Sequence, residues 1–424
     1  MSDYNQMWAD LGLDLPTHDA VLALVGKMYG DIFMSQQNRP EGMKYFDFVM
    51  SEVHGLRIKE LLDAKAEGRK IIGTFCVFVP EELVLAVNGV MVGLCAGAEL
   101  AFDAAEQYVP RNTCSLIKSA FGFKLAKVCP YIESTDLIVG ENTCDGKKKA
   151  YEQYKDLVGN LYVMDLPQMK SESGKNLLKT EYQKFAKKLE EISGNEITEE
   201  SLKKGIEIVN NKRKAIRRLA NLRAANPAPV SGLDALLINQ IYFYDDPIRF
   251  TGAVNDLCDE LEERIKQQEG VFPTNTPRIL MSGCPMAIPN WKLPHIVETS
   301  GATIVGEELC TGDRGTRNLT TEAADADAMM DAVVDRYFKI DCAIFTPNPE
   351  RLANIKEMTN QYNANGVIHY SLQFCQPYIN ESIGVEKHLE EAGIPVLSIE
   401  TDYSAEDAGQ LKTRIEAFIE RLKG

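Results

Sequence analysis

No two of the ten cysteines in this 424-residue chain are separated by only two residues. That spacing excludes the close pairs from which zinc ribbons, thioredoxin-type redox sites and ferredoxin cluster runs are built. A phosphate loop is missing too: Glu172-Ser-Gly-Lys175 lacks the leading glycine, and no G-x-G-x-x-G follows a predicted strand. ATP, flavin and nicotinamide fingerprints are therefore absent. Positive charge is short, with 46 Lys plus Arg against 62 Asp plus Glu and a formal charge of −16, which argues against nucleic acid or an anionic membrane as the main partner. The start, Met1-Ser-Asp-Tyr-Asn-Gln-Met-Trp8, has no basic stretch leading into an apolar core. The longest weakly charged run, Leu83 to Phe102, is broken by Asn88, Gly89, Gly93, Gly97 and Glu99. Neither segment reads as an export signal or a bilayer span, and a cytoplasmic location is expected.

What is present is ordinary globular composition, 45% hydrophobic and 25% charged, in a chain long enough for two or three domains. The pattern predicts a helical N-terminal segment over 1–65, an α/β domain over 66–168, a helical linker region over 169–272 and a second α/β domain over 273–424. Strands are expected near Ile71–Thr74, Val90–Leu94, Leu137–Val139 and Leu161–Met164, then near Arg278–Met281, Thr303–Val305, Ala343–Phe345, Val367–Tyr370 and Val396–Ile399. The fold class is thus α/β, with two parallel, doubly wound, flavodoxin-like sheets. Two apolar stripes, Leu178 to Ile192 and Leu202 to Ile216, separated by Ser193-Gly194-Asn195, predict an antiparallel helical hairpin whose many charges face solvent. A further helix is expected over Asp256–Gln268.

Ligands of an open parallel sheet gather beyond the carboxyl ends of its strands. This sorts the cysteines: Cys76, Cys95, Cys114, Cys144, Cys284, Cys310 and Cys375 fall on that edge. Cys129 lies at the far end of the helix that starts near Cys114, about 20 Å away at 1.5 Å per residue. Cys342 begins a predicted strand and Cys258 is mid-helix, so these three are read as inert buried thiols. Seven thiols aimed at one cleft make a soft-ligand cage suited to iron–sulfur clusters, with zinc or copper(I) as weaker fits.

The segments Thr74-Phe-Cys76-Val-Phe-Val-Pro80-Glu-Glu82, Asn112-Thr-Cys114-Ser-Leu-Ile-Lys118, Glu141-Asn-Thr-Cys144-Asp-Gly-Lys and Gln373-Phe-Cys375-Gln-Pro-Tyr378 resemble the 2-hydroxyacyl-CoA dehydratase/benzoyl-CoA reductase family from about residue 40 onward. In that family a two-domain α/β subunit holds a [4Fe-4S] cluster through three cysteines, here Cys114, Cys144 and Cys375. The additional thiols of Gly73-Thr-Phe-Cys76, Gly93-Leu-Cys95, Met281-Ser-Gly-Cys284 and Glu308-Leu-Cys310 look more like the double-cubane branch, in which an [8Fe-9S] cluster takes six protein thiolates. The six chosen are Cys76, Cys114, Cys144, Cys284, Cys310 and Cys375. Cys95 is the spare, able to replace either Cys76 or Cys284.

The resemblance also implies a separate ATP-hydrolysing iron–sulfur activator as electron donor, which suits a chain without a phosphate loop. For proton transfer, His369 and Glu81 are the candidates by proximity to Cys375 and Cys76, with a strand-end histidine and a helix-capping glutamate as the plainer readings. Lys118 and Lys147–Lys149 could offset cluster charge, and Arg314 and Arg317 could bind an anionic substrate group. The expected protein is an ATP-dependent reductase of a small molecule, assembled as a homodimer. A [4Fe-4S] dehydratase subunit and a non-catalytic iron–sulfur carrier are the alternatives.

Overall fold

A computed structural model describes residues 4–423; the first three residues of the expected helical N-terminal segment, and Gly424 at the end of the second expected α/β domain, lie outside the described residues. Four α-helices, Asn5–Asp10, Leu15–Tyr29, Met43–Ser51 and Leu56–Ala66, and one π-helical turn, Gly30–Met34, precede the first strand. The first sheet holds β1 (Ile71–Thr74), β2 (Val90–Gly93), β3 (Leu137–Asn142) and β4 (Leu161–Asp165), all parallel, in the order β2-β1-β3-β4. The second repeats the plan with β5 (Arg278–Gly283), β6 (Thr303–Glu308), β7 (Gly366–Leu372) and β8 (Val396–Thr401), in the order β6-β5-β7-β8. In each sheet the winding direction reverses between the two central strands, which opens a crevice at their carboxyl ends. The central strands β1, β5 and β7 and the edge strand β6 are buried throughout, whereas the edge strands β4 and β8 are partly exposed. No helix among the described residues is long and apolar enough to cross a membrane.

The expected strand at Ala343–Phe345 does not form. Residues 339–348 make an irregular connection between helices Ala326–Phe338 and Pro349–Gln361: the run is short and is followed by Pro347 and Pro349, which offer no N–H to a ladder. The expected helix at Asp256–Gln268 starts earlier and spans Pro247–Lys266: Asp246 caps it by accepting from Ile248 N and Arg249 N, and Pro247 takes the first helical position.

Between the sheets run helices Glu172–Ser193 and Glu199–Leu222, joined through Gly194 at φ 73°. They do not form a packed hairpin. The first lies against helix Ala326–Phe338, and the second is wedged between helices Glu81–Ala86 and Pro247–Lys266. A Cβ on Gly205 would stand 2.5 Å from Glu82 O, so glycine is what allows that approach. Nor is the charged face wholly solvated. Lys212 Nζ donates to Glu81 Oε2 at 3.0 Å and Arg213 Nη1 to Glu82 Oε1 at 2.7 Å, all four side chains being buried. The second half closes the junction: Tyr337 Oη donates to Glu82 Oε2 at 2.8 Å and Thr320 Oγ1 to Glu82 Oε1 at 3.1 Å.

Another buried carboxylate seats helix Gly232–Ile241. Glu298 accepts from Gly232 N (2.8 Å), Leu233 N (3.2 Å) and Ile304 N (3.1 Å), using two of the helix's otherwise unpaired first N–H groups. Burial pushes its carboxyl up to about 7 against the pull of those donors. The folded state therefore keeps a proton that the unfolded chain has lost, so stability falls as pH rises from about 4.5 to about 7 and then levels. Glu298→Gln, which mimics the protonated form, is expected to remove this slope. The difference between wild-type and variant melting midpoints across pH 5 to 8 checks it, and an unchanged difference would refute the assignment.

Candidate metal centre

The carboxyl ends of the two sheets face one another across a cavity of about 510 Å³, a size usual for a small-molecule or cofactor site. Seven cysteines line it: Cys76, Cys95, Cys114, Cys144, Cys310, Cys342 and Cys375. Six of these are among the seven expected on the strand-end edge. Cys284 is not on the wall but behind it, fully buried, with its Sγ accepting from Leu372 N at 3.3 Å and its thiol beside that of Cys375. Cys342, read from the sequence as inert, takes its place on the wall because its segment is a loop rather than a strand. Cys129 and Cys258 do not line the cavity.

The thiols fall into two groups. Cys114, Cys144, Cys284 and Cys375 interact with one another, and Cys310 interacts with Cys76, Cys95 and Cys342. Cys114, Cys144 and Cys375 share one local structure, each being the N-cap of a helix, Ser115–Leu125, Asp145–Val158 and Gln376–Glu391. The first-turn N–H groups of Leu116 and Ile117 pull the Cys114 thiol down, and those of Gly146 and Lys147 pull the Cys144 thiol down, against the upward push of burial, although neither sulfur accepts a capping hydrogen bond. The positive helix ends favour anionic sulfur. The turn that delivers Cys375 is strained, since Phe374 sits at φ 66°, a region costly for a bulky side chain. Gly283, at φ 128°, brings β5 so close to β7 that a Cβ would meet Tyr370 O at 1.9 Å.

The second group is held by side chains. Glu141, buried at the end of β3, accepts from Cys76 N at 3.1 Å and Phe75 N at 3.2 Å through Oε1, and from Lys147 Nζ at 3.2 Å through Oε2. Arg314 Nη1 donates to Cys310 Sγ at 3.2 Å and to Tyr378 Oη at 2.5 Å, while Tyr378 Oη stands 3.7 Å from Cys342 Sγ. Burial pushes Cys342 up to about 11 and Cys95 up to about 12. Such thiols stay protonated until a cationic centre offsets the charge of their thiolates. Cys95 already donates to Phe75 O at 3.0 Å.

A donor set made of thiols is chemically suited to an iron–sulfur group. Among the described residues no three His, Cys, Asp or Glu side chains converge as they would on one metal. The thiols instead are spread around the cavity.

The candidate proton donors are placed away from that volume. His369 is fully buried within β7 and does not line the cavity, its Nε2 lying 3.4 Å from Arg351 Nη2. Burial, with Arg351 and Arg314, pulls its imidazole down to about 3, so it is neutral at physiological pH. Glu81 is engaged by Lys212, as described, and is likewise off the wall. Arg314 and Arg317, expected to meet an anionic substrate, are engaged by Glu308 and by Asp313 and Asp341 respectively. Lys118 is tied to Glu106 and to Arg111 O. Of Lys147, Lys148 and Lys149, only Lys147 lines the cavity, and it is the one Lys, Arg or His among the described residues that does so. Burial opposes its charge, but Tyr151, Glu141, Cys76 and Cys95 together hold the ammonium well above its ordinary value.

The profile described as 2-hydroxyglutaryl-CoA dehydratase, D-component, matches residues 76–422, well over half of the chain. Among curated proteins the chain is 38% identical to YjiM of Escherichia coli K12, which is named as a dehydratase subunit, over 88% of this chain and 96% of that protein. It is 31% identical to the (R)-phenyllactyl-CoA dehydratase beta subunit of Clostridium sporogenes, over 84% of this chain and 92% of the relative. A benzoyl-CoA reductase subunit of Thauera aromatica is 23% identical, over 81% of this chain and 88% of that protein.

Proposed function

The chain belongs to the 2-hydroxyglutaryl-CoA dehydratase D-component family, and from that premise we propose that it is the reducing component of an ATP-dependent, low-potential oxidoreductase. In this reading a double-cubane [8Fe-9S] cluster occupies the cavity between the halves, and a small molecule is reduced there. One observation carries it: the wall offers two separate groups of thiols, each of which can supply three ligands. Cys114, Cys144 and Cys375 would hold one cubane, and Cys76, Cys310 and Cys342 the other. Cys284 is left out because it lies behind the wall, and Cys95 because its thiol is spent on Phe75 O. When bound, such a cluster supplies electrons at low potential.

The protein's own groups do the rest. Three helix N-termini stabilise anionic sulfur on one side, and Arg314 does so for Cys310 on the other. Phe75, Ile117, Phe121, Val77 and Ile344 line the cavity with apolar surface, which limits water and strengthens each charge interaction within it. His369, neutral and buried, is assigned no proton transfer. Electrons are proposed to come from a separate ATP-hydrolysing iron–sulfur activator, docking on a twofold homodimer of this chain.

Anaerobically purified protein is expected to carry about eight iron per chain; about four would reassign it as the [4Fe-4S] subunit of a 2-hydroxyacyl-CoA dehydratase. With dithionite and small unsaturated substrates, turnover is expected only when activator and ATP are both added. Full ATP-dependent turnover without the activator would refute the partner, and dehydration of a hydroxyacyl-CoA by this chain and activator alone would favour the dehydratase. A full iron count with no turnover on any substrate would leave an electron carrier.

A further inference from the structure

Lys147 and Glu141 form a fixed pair of opposite charges at the Cys76 end of the cavity, and they act on the same sulfurs with opposite sign. Lys147 favours the thiolates of Cys76 and Cys95, and Glu141 disfavours both. The geometry explains why neither charge can move away. Glu141, fully buried, is anchored by the N–H groups of Phe75 and Cys76. Lys147 Nζ is bound to Glu141 and lies 5.9 Å from the ring centres of both Phe75 and Tyr151. Its side chain is 14% exposed, on the cavity wall.

We propose that this Lys147–Glu141 pair is a positioning device that sets the reduction potential of the Cys76, Cys310 and Cys342 end. The inference rests on the cluster reading above. An electron delivered there by dithionite adds one negative charge to a buried, low-dielectric region. A neighbouring ammonium stabilises that added charge and a neighbouring carboxylate opposes it. Lys147 therefore raises the potential at which the electron is accepted, and Glu141 lowers it. At the other end backbone N–H groups at the helix starts of Cys114 and Cys144 play the corresponding part, and the Lys147 charge reaches Cys144 as well, so the largest shifts are expected at the Cys76 end, where Glu141 opposes it.

The test is an anaerobic redox titration with dithionite, followed by electron paramagnetic resonance, on the full-length holo-protein and three variants. Lys147→Met is expected to shift the midpoint to a more negative value. Glu141→Gln, which keeps an oxygen for the Phe75 and Cys76 N–H groups, is expected to shift it to a more positive one. Lys147→Arg is expected to stay near wild type, since it keeps the charge. A merely structural role would not produce shifts of opposite sign. Equal midpoints in all four proteins, or shifts of the same sign in Lys147→Met and Glu141→Gln, would overturn the proposal, as would loss of iron from both, which would assign the pair to cluster assembly. A wild-type count of about four iron per chain would instead overturn the double-cubane reading on which the proposal rests, a failure that the iron count separates from a failure of the sign test.

Discussion

Replacing Cys342 by Ala is expected to remove about half of the iron bound per chain, as is replacing Cys375, because in the proposed double cubane each supplies one thiolate to a different cubane. Cys284→Ala is expected to leave the count near wild type, as are Cys129→Ala and Cys258→Ala. The contrast between Cys342 and Cys284 is decisive, since both are nearly or fully buried and only the first lines the cavity. Iron and acid-labile sulfide, measured after anaerobic purification, read the result directly. A Cys284→Ala protein that loses iron as Cys375→Ala does, beside a Cys342→Ala protein that keeps it, would return the sixth ligand to Cys284. Melting midpoints of the metal-free proteins separate ligand loss from misfolding, because the thiols are ordinary small buried side chains when no iron is bound.

The second large effect concerns the junction between the halves. Arg213→Met leaves Glu82 buried without its cation and takes a hydrogen-bond donor from Tyr337 Oη, which Arg213 Nη2 contacts at 3.0 Å. Breaking a buried pair from one side costs about 3–5 kcal/mol. A clear fall in the urea midpoint of unfolding is therefore expected. Removing both partners costs less than removing one, so Glu82→Gln combined with Arg213→Met is expected to recover part of the loss. A double variant as unstable as the sum of the two singles would show that the pair does not couple.

Eight of the nine expected strands form, and each kept its place because an all-parallel, buried strand reads as a short apolar run between helices whatever its long-range partners. The ninth failed for the same reason. Ala343-Ile-Phe345 is such a run, but nothing local reveals that it pairs with neither edge of the second sheet, β6 or β8. That one error also misplaced Cys342. The helix that starts near Cys114 and the strand-end placement of Cys144 and Cys375 were legible; that all three are helix N-caps came only with the structure. The fates of Lys212, Arg213, Glu81 and Glu82 were not. Their pairing spans 131 residues, and a charged stripe on a helix looks the same whether water or a buried carboxylate lies opposite. Lys147 was hidden by its neighbours in the same way: Lys148 and Lys149 stay off the cavity wall, and Lys147, which turns in, is the one bound to Glu141 near the end of β3.

Tyr337 touches Glu82 of the first sheet's domain and Arg213 of the connecting helix while belonging to the second half itself. The two walls of the cavity are thus bolted together at a dry joint. A container of that kind can gain or lose an electron while its dipoles stay where they are, and fixed dipoles cost no reorganisation when charge arrives. In the proposed complex, rigidity in this chain shifts any ATP-driven motion to the partner: the activator would be the moving jaw, and this protein the anvil.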